Sequence, residues 1–306
     1  MSTITDTPWE ITGAEKQAII GNTHCSEGEP SAVVLFVHGF LGYKDYGMFP
    51  YLAHHTASHG YASLRFNLSH SGMTNRIETF ERPDLFEKDT WSKQVFDVMS
   101  VMSAAEAGRI PGCPAGLPCI LYGHSRGGVT VLLTSGRLCA AATGTTDQVG
   151  TVDPLFAKLA PPAAVVTAAA PSFTYRLSPG QKEQLAHDGF VEVVSNRTGQ
   201  TLRIDRGWLD EQIEHPQAHD LSAHVKAITC PLTIVHGERD PTVPASCAHD
   251  LLGSAGGVDG RTRQIIVPGA DHVFNTPNPM PLDAEPSAQL AMLCQTVVEA
   301  CHHAVS

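Results

Sequence analysis

The sequence has little of what would place a protein in a membrane, on a nucleic acid or around a metal. Its longest apolar runs, Ala32–Val37 and Ala163–Ala170, are far too short to span a bilayer. Basic residues number 20 against 31 acidic ones, for a net charge of −11, and they form no stripe. That excludes nucleic acid and anionic membrane as natural partners, and it mildly disfavours a strongly anionic substrate. Eight cysteines (Cys25, Cys113, Cys119, Cys139, Cys230, Cys247, Cys294 and Cys301) form no C-x-x-C pair and no even framework, so reduced, mostly buried thiols are expected. There is no H-E-x-x-H and no Cys/His zinc spacing. The closest histidine set among the sixteen, His215, His219 and His224, is interrupted by Pro216, so solvated surface histidines are expected, with no metal and no cofactor. The opening Met1-Ser2-Thr3-Ile4-Thr5-Asp6 has neither a basic nor an apolar leader region, which gives the expectation of a cytoplasmic protein without a signal peptide. In that setting the Asn196-Arg197-Thr198 sequon reads as chance.

What is present is a rhythm. Hydrophobic residues make up 42% of the 306, enough for a sizeable core. Short apolar runs recur, each ending in a Gly-, Pro- or Ser-bearing turn: Ala32–Val37, Tyr61–Leu68, Pro118–Tyr122, Ala163–Ala170, Leu232–Val235 and Gln264–Val267. Helical patterns fall between several of them, over Thr90–Ala107, Arg126–Ala141 and Ala245–Leu252, with another over Ser287–His303. Runs apolar on both faces and separated by helices indicate α/β architecture with a mostly parallel sheet covered on both sides. Glu10–Thr23 reads as a strand pair turning near Gly13, able to extend the sheet at its edge. The 60 residues between Pro171 and Leu232 exceed what one crossover needs. They carry helical patterns at Ser178–His187, Gly207–Glu214 and Leu221–Ala227 and a hairpin signal over Val191–Ile204. Residues 172–231 are therefore expected to form an inserted lid above the carboxyl ends of the strands, on a core of 1–171 and 232–306.

Gly123-His124-Ser125-Arg126-Gly127 matches G-x-S-x-G between the strand ending at Tyr122 and a helix starting near Arg126. In that context the motif is a nucleophile elbow, with the free N–H groups of the helix start facing any negative charge at the serine. The alternative is an ordinary Gly-rich turn whose serine caps the helix. A serine hydroxyl needs a base. His272 leaves the last core strand at the same end of the sheet, and Asp240 follows the strand before it. Glu238 lies too close to its strand end, and Asp271 is adjacent to His272, so Asp240 is the expected acid. The chain order Ser, Asp, His is that of α/β hydrolases rather than of either protease class. Backbone N–H groups of Phe40, after the first core strand, and of Arg126 are the expected oxyanion donors. His38 reads as a structural hydrogen bonder. In the lid, Phe173, Tyr175 and Trp208 are candidate substrate-binding residues.

With His-Gly-Phe, Gly-His-Ser-Arg-Gly-Gly, Gly-Glu-Arg-Asp-Pro-Thr-Val-Pro and Gly-Ala-Asp-His-Val-Phe in this order, the chain resembles the α/β-hydrolase superfamily over nearly its whole length. The lid makes it look most like bacterial carboxylesterases of the cinnamoyl and feruloyl esterase type. It departs from them in carrying Arg126 where glutamine is common, and in the turn Asn67–Thr74. The resemblance implies acyl transfer through Ser125 on a small-molecule ester, with no cofactor, in a monomer or homodimer. A thioesterase, a C–C bond hydrolase or an aminopeptidase would use the same residues. A ligand-binding receptor on the same scaffold would need none of them intact. Dehalogenases and epoxide hydrolases carry Asp at the nucleophile position, unlike Ser125, and the charged lid speaks against a lipase.

Overall fold

The computed structural model describes residues 3–257 and 260–306. Strands β1 (Ile4–Thr12) and β2 (Ala18–Ser26) form an antiparallel pair at the sheet edge, longer than the sequence pattern suggested. β2 in turn pairs antiparallel with β4 (Ala62–Asn67), next to β3 (Val33–Val37). β5 (Cys119–His124), β6 (Ala164–Ala168), β9 (Leu232–Gly237) and β10 (Thr262–Val267) complete a sheet in the order β1-β2-β4-β3-β5-β6-β9-β10, parallel from β4 onward. The two-stranded ribbon β7 (Phe190–Val194) and β8 (Thr201–Asp205) stands apart from it.

The unbroken apolar runs have a direct cause. Val33, Leu35 and Val37 bury one face of β3 under α3 (Trp91–Glu106) and α4 (Arg126–Thr143), while Val34 and Phe36 bury the other under α1 (Phe49–Ser58) and α9 (Ala288–Val305). Thr90 caps α3 by accepting from Lys93 N–H. The remaining helices are α2 (Pro83–Glu87), α5 (Pro179–Asp188), α6 (Gly207–Glu214), α7 (Leu221–Ala227) and α8 (Ser246–Ser254). No helix among the described residues is long and apolar enough to cross a membrane.

The 172–231 segment divides in two. Its first part, α5, the β7–β8 ribbon and α6, lies over the strand ends. Glu211 of α6 fastens it by accepting from the backbone N–H groups of Trp91 and Ser92 at the start of α3. Gln200 does the same beside the ribbon, accepting from Phe80 N–H and donating to Phe80 O. Its last part is not lid. Leu221 and Val225 of α7 join the main core, and His224 packs on Gly136 of α4 so closely that an added Cβ would come within 2.7 Å. α7 is thus the crossover helix that the β6-to-β9 connection requires. The expectation of solvated histidines fails here for the same reason. His219 and His224 are buried, each donating through Nδ1 to the carbonyl four residues earlier.

Candidate active site

Ser125 sits between β5 and α4 with φ 54° and ψ −124°, a left-handed conformation that a non-glycine residue holds only when its surroundings enforce it. The enforcement comes from crowding. A Cβ at Gly123 would lie 2.2 Å from Gly127 O, and one at Gly127 would lie 2.3 Å from Val37 O. The glycines on either side of the serine let strand, turn and helix close on one another. Ser125 N–H donates to Ala168 O, tying the turn to β6.

Three loops converge on this turn. His272 Nε2 lies 3.0 Å from Ser125 Oγ, and His272 Nδ1 lies 2.8 Å from Asp240 Oδ2. The carboxylate fixes the tautomer: Nδ1 carries the proton and donates it, so Nε2 is free to accept from the serine hydroxyl. The loops that carry His272 and Asp240 are zipped together by Glu238 N–H to Val267 O and Arg239 N–H to Ala270 O. The Asp240 side chain is fully buried. Burial alone would raise its carboxyl. Hydrogen bonds from His236, His272 and Val243 N–H outweigh that and hold it well below the usual carboxylate range. Asp271 is occupied elsewhere, accepting from Val273 and Asn275 N–H, and Glu238 accepts from Gly269 N–H.

The loop after β3 presses on the elbow from the other side: a Cβ at Gly39 would be 2.9 Å from Ser125 Cβ and 3.5 Å from Arg126 N. Arg126 opens α4, so its N–H has no carbonyl of a preceding turn to bind. His38 donates through Nδ1 to Gly39 O and accepts Leu68 N–H on Nε2. Burial pushes it down to about 4, which keeps it neutral. The Arg126 guanidinium stacks over Trp91 at 4.7 Å and Phe40 at 5.5 Å and pairs with Asp89 at 3.2 Å. Burial raises the Asp89 carboxyl to about 6, with Arg126 opposing the rise, so the pair is ionised at neutral pH.

Two cavities meet at Ser125 and Phe40. One, of about 270 Å³, is walled by Trp91, Phe173, Tyr175, Leu185, Val191 and Trp208, with Arg126 beside the serine. The other, of about 370 Å³, lies between the loop 39–42, His272, Thr242 and the ribbon turn at Ser195–Arg197. The structure therefore brings Phe173, Tyr175 and Trp208 to one wall, with Tyr175 edge-on to Trp208 at 6.4 Å. Among the described residues no cluster of three or more His, Cys, Asp or Glu is placed to hold a metal, and all eight cysteines are free thiols.

A family model described as "Alpha/beta hydrolase family" matches residues 34–291. The chain belongs to the α/β hydrolase family. No curated protein matches its sequence. Solved structures share the fold of this α/β hydrolase at low identity. The esterase domain of a Rhodothermus marinus protein superposes with a TM-score of 0.63 at 18% identity, over 99% of this chain and 100% of that one. Est1E from Butyrivibrio proteoclasticus with ferulic acid bound gives 0.65 at 15%, over 97% and 99%. A dienelactone hydrolase from Anabaena variabilis gives 0.59 at 16%, over 98% of each.

Two site residues of this α/β hydrolase escaped the sequence reading although they lie inside its motifs. His236, fully buried, places Nε2 2.9 Å from Val243 O and 3.4 Å from Asp240 Oδ2. His124 donates from Nε2 to His272 O at 2.7 Å, and burial pushes it down to about 3. Both immobilise a neighbour, which residue spacing cannot reveal, and His124 also lines the 370 Å³ cleft. Trp91, the cap-adjacent residue of α3, was also missed as a pocket wall. Its indole donates to Thr174 O of the lid.

Proposed function

We propose that this α/β hydrolase is a serine carboxylesterase that acts through an acyl-enzyme on Ser125. The observation that carries the reading is the unbroken hydrogen-bond chain Ser125–His272–Asp240 at a strained elbow. Ser125 Oγ attacks the ester carbonyl as His272 Nε2 takes its proton, and Asp240 stabilises the resulting imidazolium. The N–H groups of Phe40 and Arg126 hold the oxyanion, and water then releases the acyl group by the same route. No step needs a cofactor.

The two cavities receive the two halves of the ester. His272 must protonate the departing alcohol, and of the two it lines the 370 Å³ cleft, so the alcohol lies there. The acyl group then occupies the 270 Å³ aromatic cavity, which suits an aromatic or medium-length acyl chain. The ferulic acid bound to the structurally similar Est1E is in keeping with that reading.

The test is a fluorophosphonate probe followed by mass spectrometry, alongside a panel of chromogenic esters of graded acyl length that includes methyl ferulate. Labelling at Ser125 together with ester turnover is expected. Ser125→Ala should lower turnover by about 10³-fold or more while leaving the fold intact. A pure variant that retained more than a few per cent of activity would overturn the assignment.

A further inference from the structure

Resting on the esterase reading, we infer that the cleft on the His272 side of Ser125 takes an ester whose leaving alcohol bears a carboxylate, and that Arg197 is the residue that binds this anion. Arg197 projects from the β7–β8 turn towards the body of the protein. Arg197 is part of the wall of the same cleft as Ser125 and His272, and its guanidinium rests at the edge of that cleft on two rings outside its lining, 4.5 Å from the Tyr43 ring centre and 5.3 Å from that of Phe80. It donates to Ile77 O and, at 3.3 Å, to the weak acceptor Met73 Sδ. Its Nε is shielded from solvent and has no hydrogen-bond partner. Among the described residues no carboxylate lies within 4.0 Å of it. Arg126, which lines the other cavity, also has an Nε without a hydrogen-bond partner but has the Asp89 carboxylate at 3.2 Å.

A half-buried cation held by one carbonyl, a thioether and two ring faces is undersatisfied, since ring faces return only part of the lost hydration. Fastening the ribbon to the body does not call for a cation. Gln200, three residues on, does that with a neutral amide bonded to Thr79 Oγ1, Phe80 N–H and Phe80 O. The cleft is also lined by Ser195, Asn196 and Thr242 and by no acidic side chain, in a chain that has 31 of them. A substrate anion supplies the missing counter-charge, and the planar guanidinium can meet a carboxylate with parallel hydrogen bonds. The negative charge of the molecule as a whole does not oppose this, because salt screens distant charges beyond about 10 Å.

The experiment compares kcat/KM for 4-acetoxybenzoate and its neutral isostere 4-acetoxybenzamide, each divided by its rate of hydroxide hydrolysis. The wild type should prefer the carboxylate by about tenfold. High salt should shrink the preference, Arg197→Gln should remove it, and Arg197→Lys should retain part of it. A matched acyl-side pair, the 4-nitrophenyl monoester of glutaric acid against 4-nitrophenyl pentanoate, should show no such preference for the anion. If the benzoate and benzamide are cleaved equally, or the preference survives in Arg197→Gln, or it appears on the acyl side instead, the inference is wrong. An equal loss for both acetoxy esters in Arg197→Gln with a lowered Tm would show that the residue only fastens the ribbon. Should that variant fail to fold, the salt dependence of the wild-type preference decides: a preference that salt leaves unchanged overturns the inference. Absence of turnover on every ester would overturn the esterase reading as well, whereas turnover without preference overturns this inference alone.

Discussion

At the scale of single residues, two aspartates are candidates for one role in the proposed mechanism, and their hydrogen bonds favour Asp240. Asp240 gives one oxygen to His272 and the other to Thr242 and Val243 N–H, so its carboxylate is fixed in place and aimed. Asp271 spends its oxygen on the turn that follows it. Asp240→Asn presents an amide where His272 needs an acceptor and favours the wrong imidazole tautomer. The loss in kcat should be on the order of 10⁴, as in the protease triad. Asp271→Asn should cost far less, because the amide oxygen can still accept the two backbone N–H groups. Steady-state kinetics of the two variants on one chromogenic ester checks this, and a larger loss in Asp271→Asn would reverse the assignment. This part of the site was legible in the sequence because α/β topology delivers the ends of successive parallel strands to one edge, and each candidate followed such an end. The neighbours that hold the candidates still, His124 and His236, were not legible, since their roles depend on which way a buried ring points.

At the scale of elements, the sheet was readable wherever a run was apolar on both faces, as in β3, β5 and β6. α1 is not evident in the sequence pattern although its buried residues Phe49, Leu52, Ala53, Thr56 and Ala57 follow the helical period. The intervening histidines and tyrosine blurred the polar face. The sequence pattern predicts α7 as a helix of the lid, because length marks an insertion without showing where it ends. On the esterase proposal, the lid proper is where selectivity would be set. Trp208 lies in the wall of the 270 Å³ cavity beside Phe173 and Tyr175, and its ring faces the Arg126 guanidinium at 5.9 Å. Trp208→Ala should change the ratio of kcat/KM between aryl and short aliphatic acyl esters by about 1–3 kcal/mol. The kinetic panel should be paired with a melting curve. A uniform loss across all esters with a lowered Tm would mean that the indole only packs the lid onto the body.

At the scale of the whole molecule, stability depends on buried groups that unfolding would release to water. Five buried histidines are pushed down by desolvation from an ordinary 6.5: His24, His38 and His224 to about 4, His124 to about 3, and His70 in the same direction. Their contacts explain why they stay neutral. His24 accepts from Arg65 Nε, His38 accepts from Leu68 N–H, and the Nε2 of His224 has no partner at all. Two buried aspartates move the other way from 3.8, Asp89 to about 6 and Asp97 to about 7. Asp97 is held by Ala14 and Ser69 N–H, each at 2.7 Å. Between pH 4 and 6, unfolding therefore takes up about four protons at His24, His38, His124 and His224 and releases about two at the aspartates, a net uptake of about two to which His70 adds. Stability must then fall as pH falls through this window, by roughly 2–3 kcal/mol per unit. Near pH 7.5 the histidines are neutral in both states and the two aspartates are largely ionised in both, so these groups contribute little slope there. Urea unfolding midpoints measured from pH 7.5 down to 4.5 should decline steeply below about 6. His224→Phe, which keeps an aromatic ring against α4 and removes one titrating group, should make the decline shallower by about one proton's worth of slope. A midpoint that stayed level or rose on acidification would mean that the aspartates, not the histidines, govern the acid response of the fold.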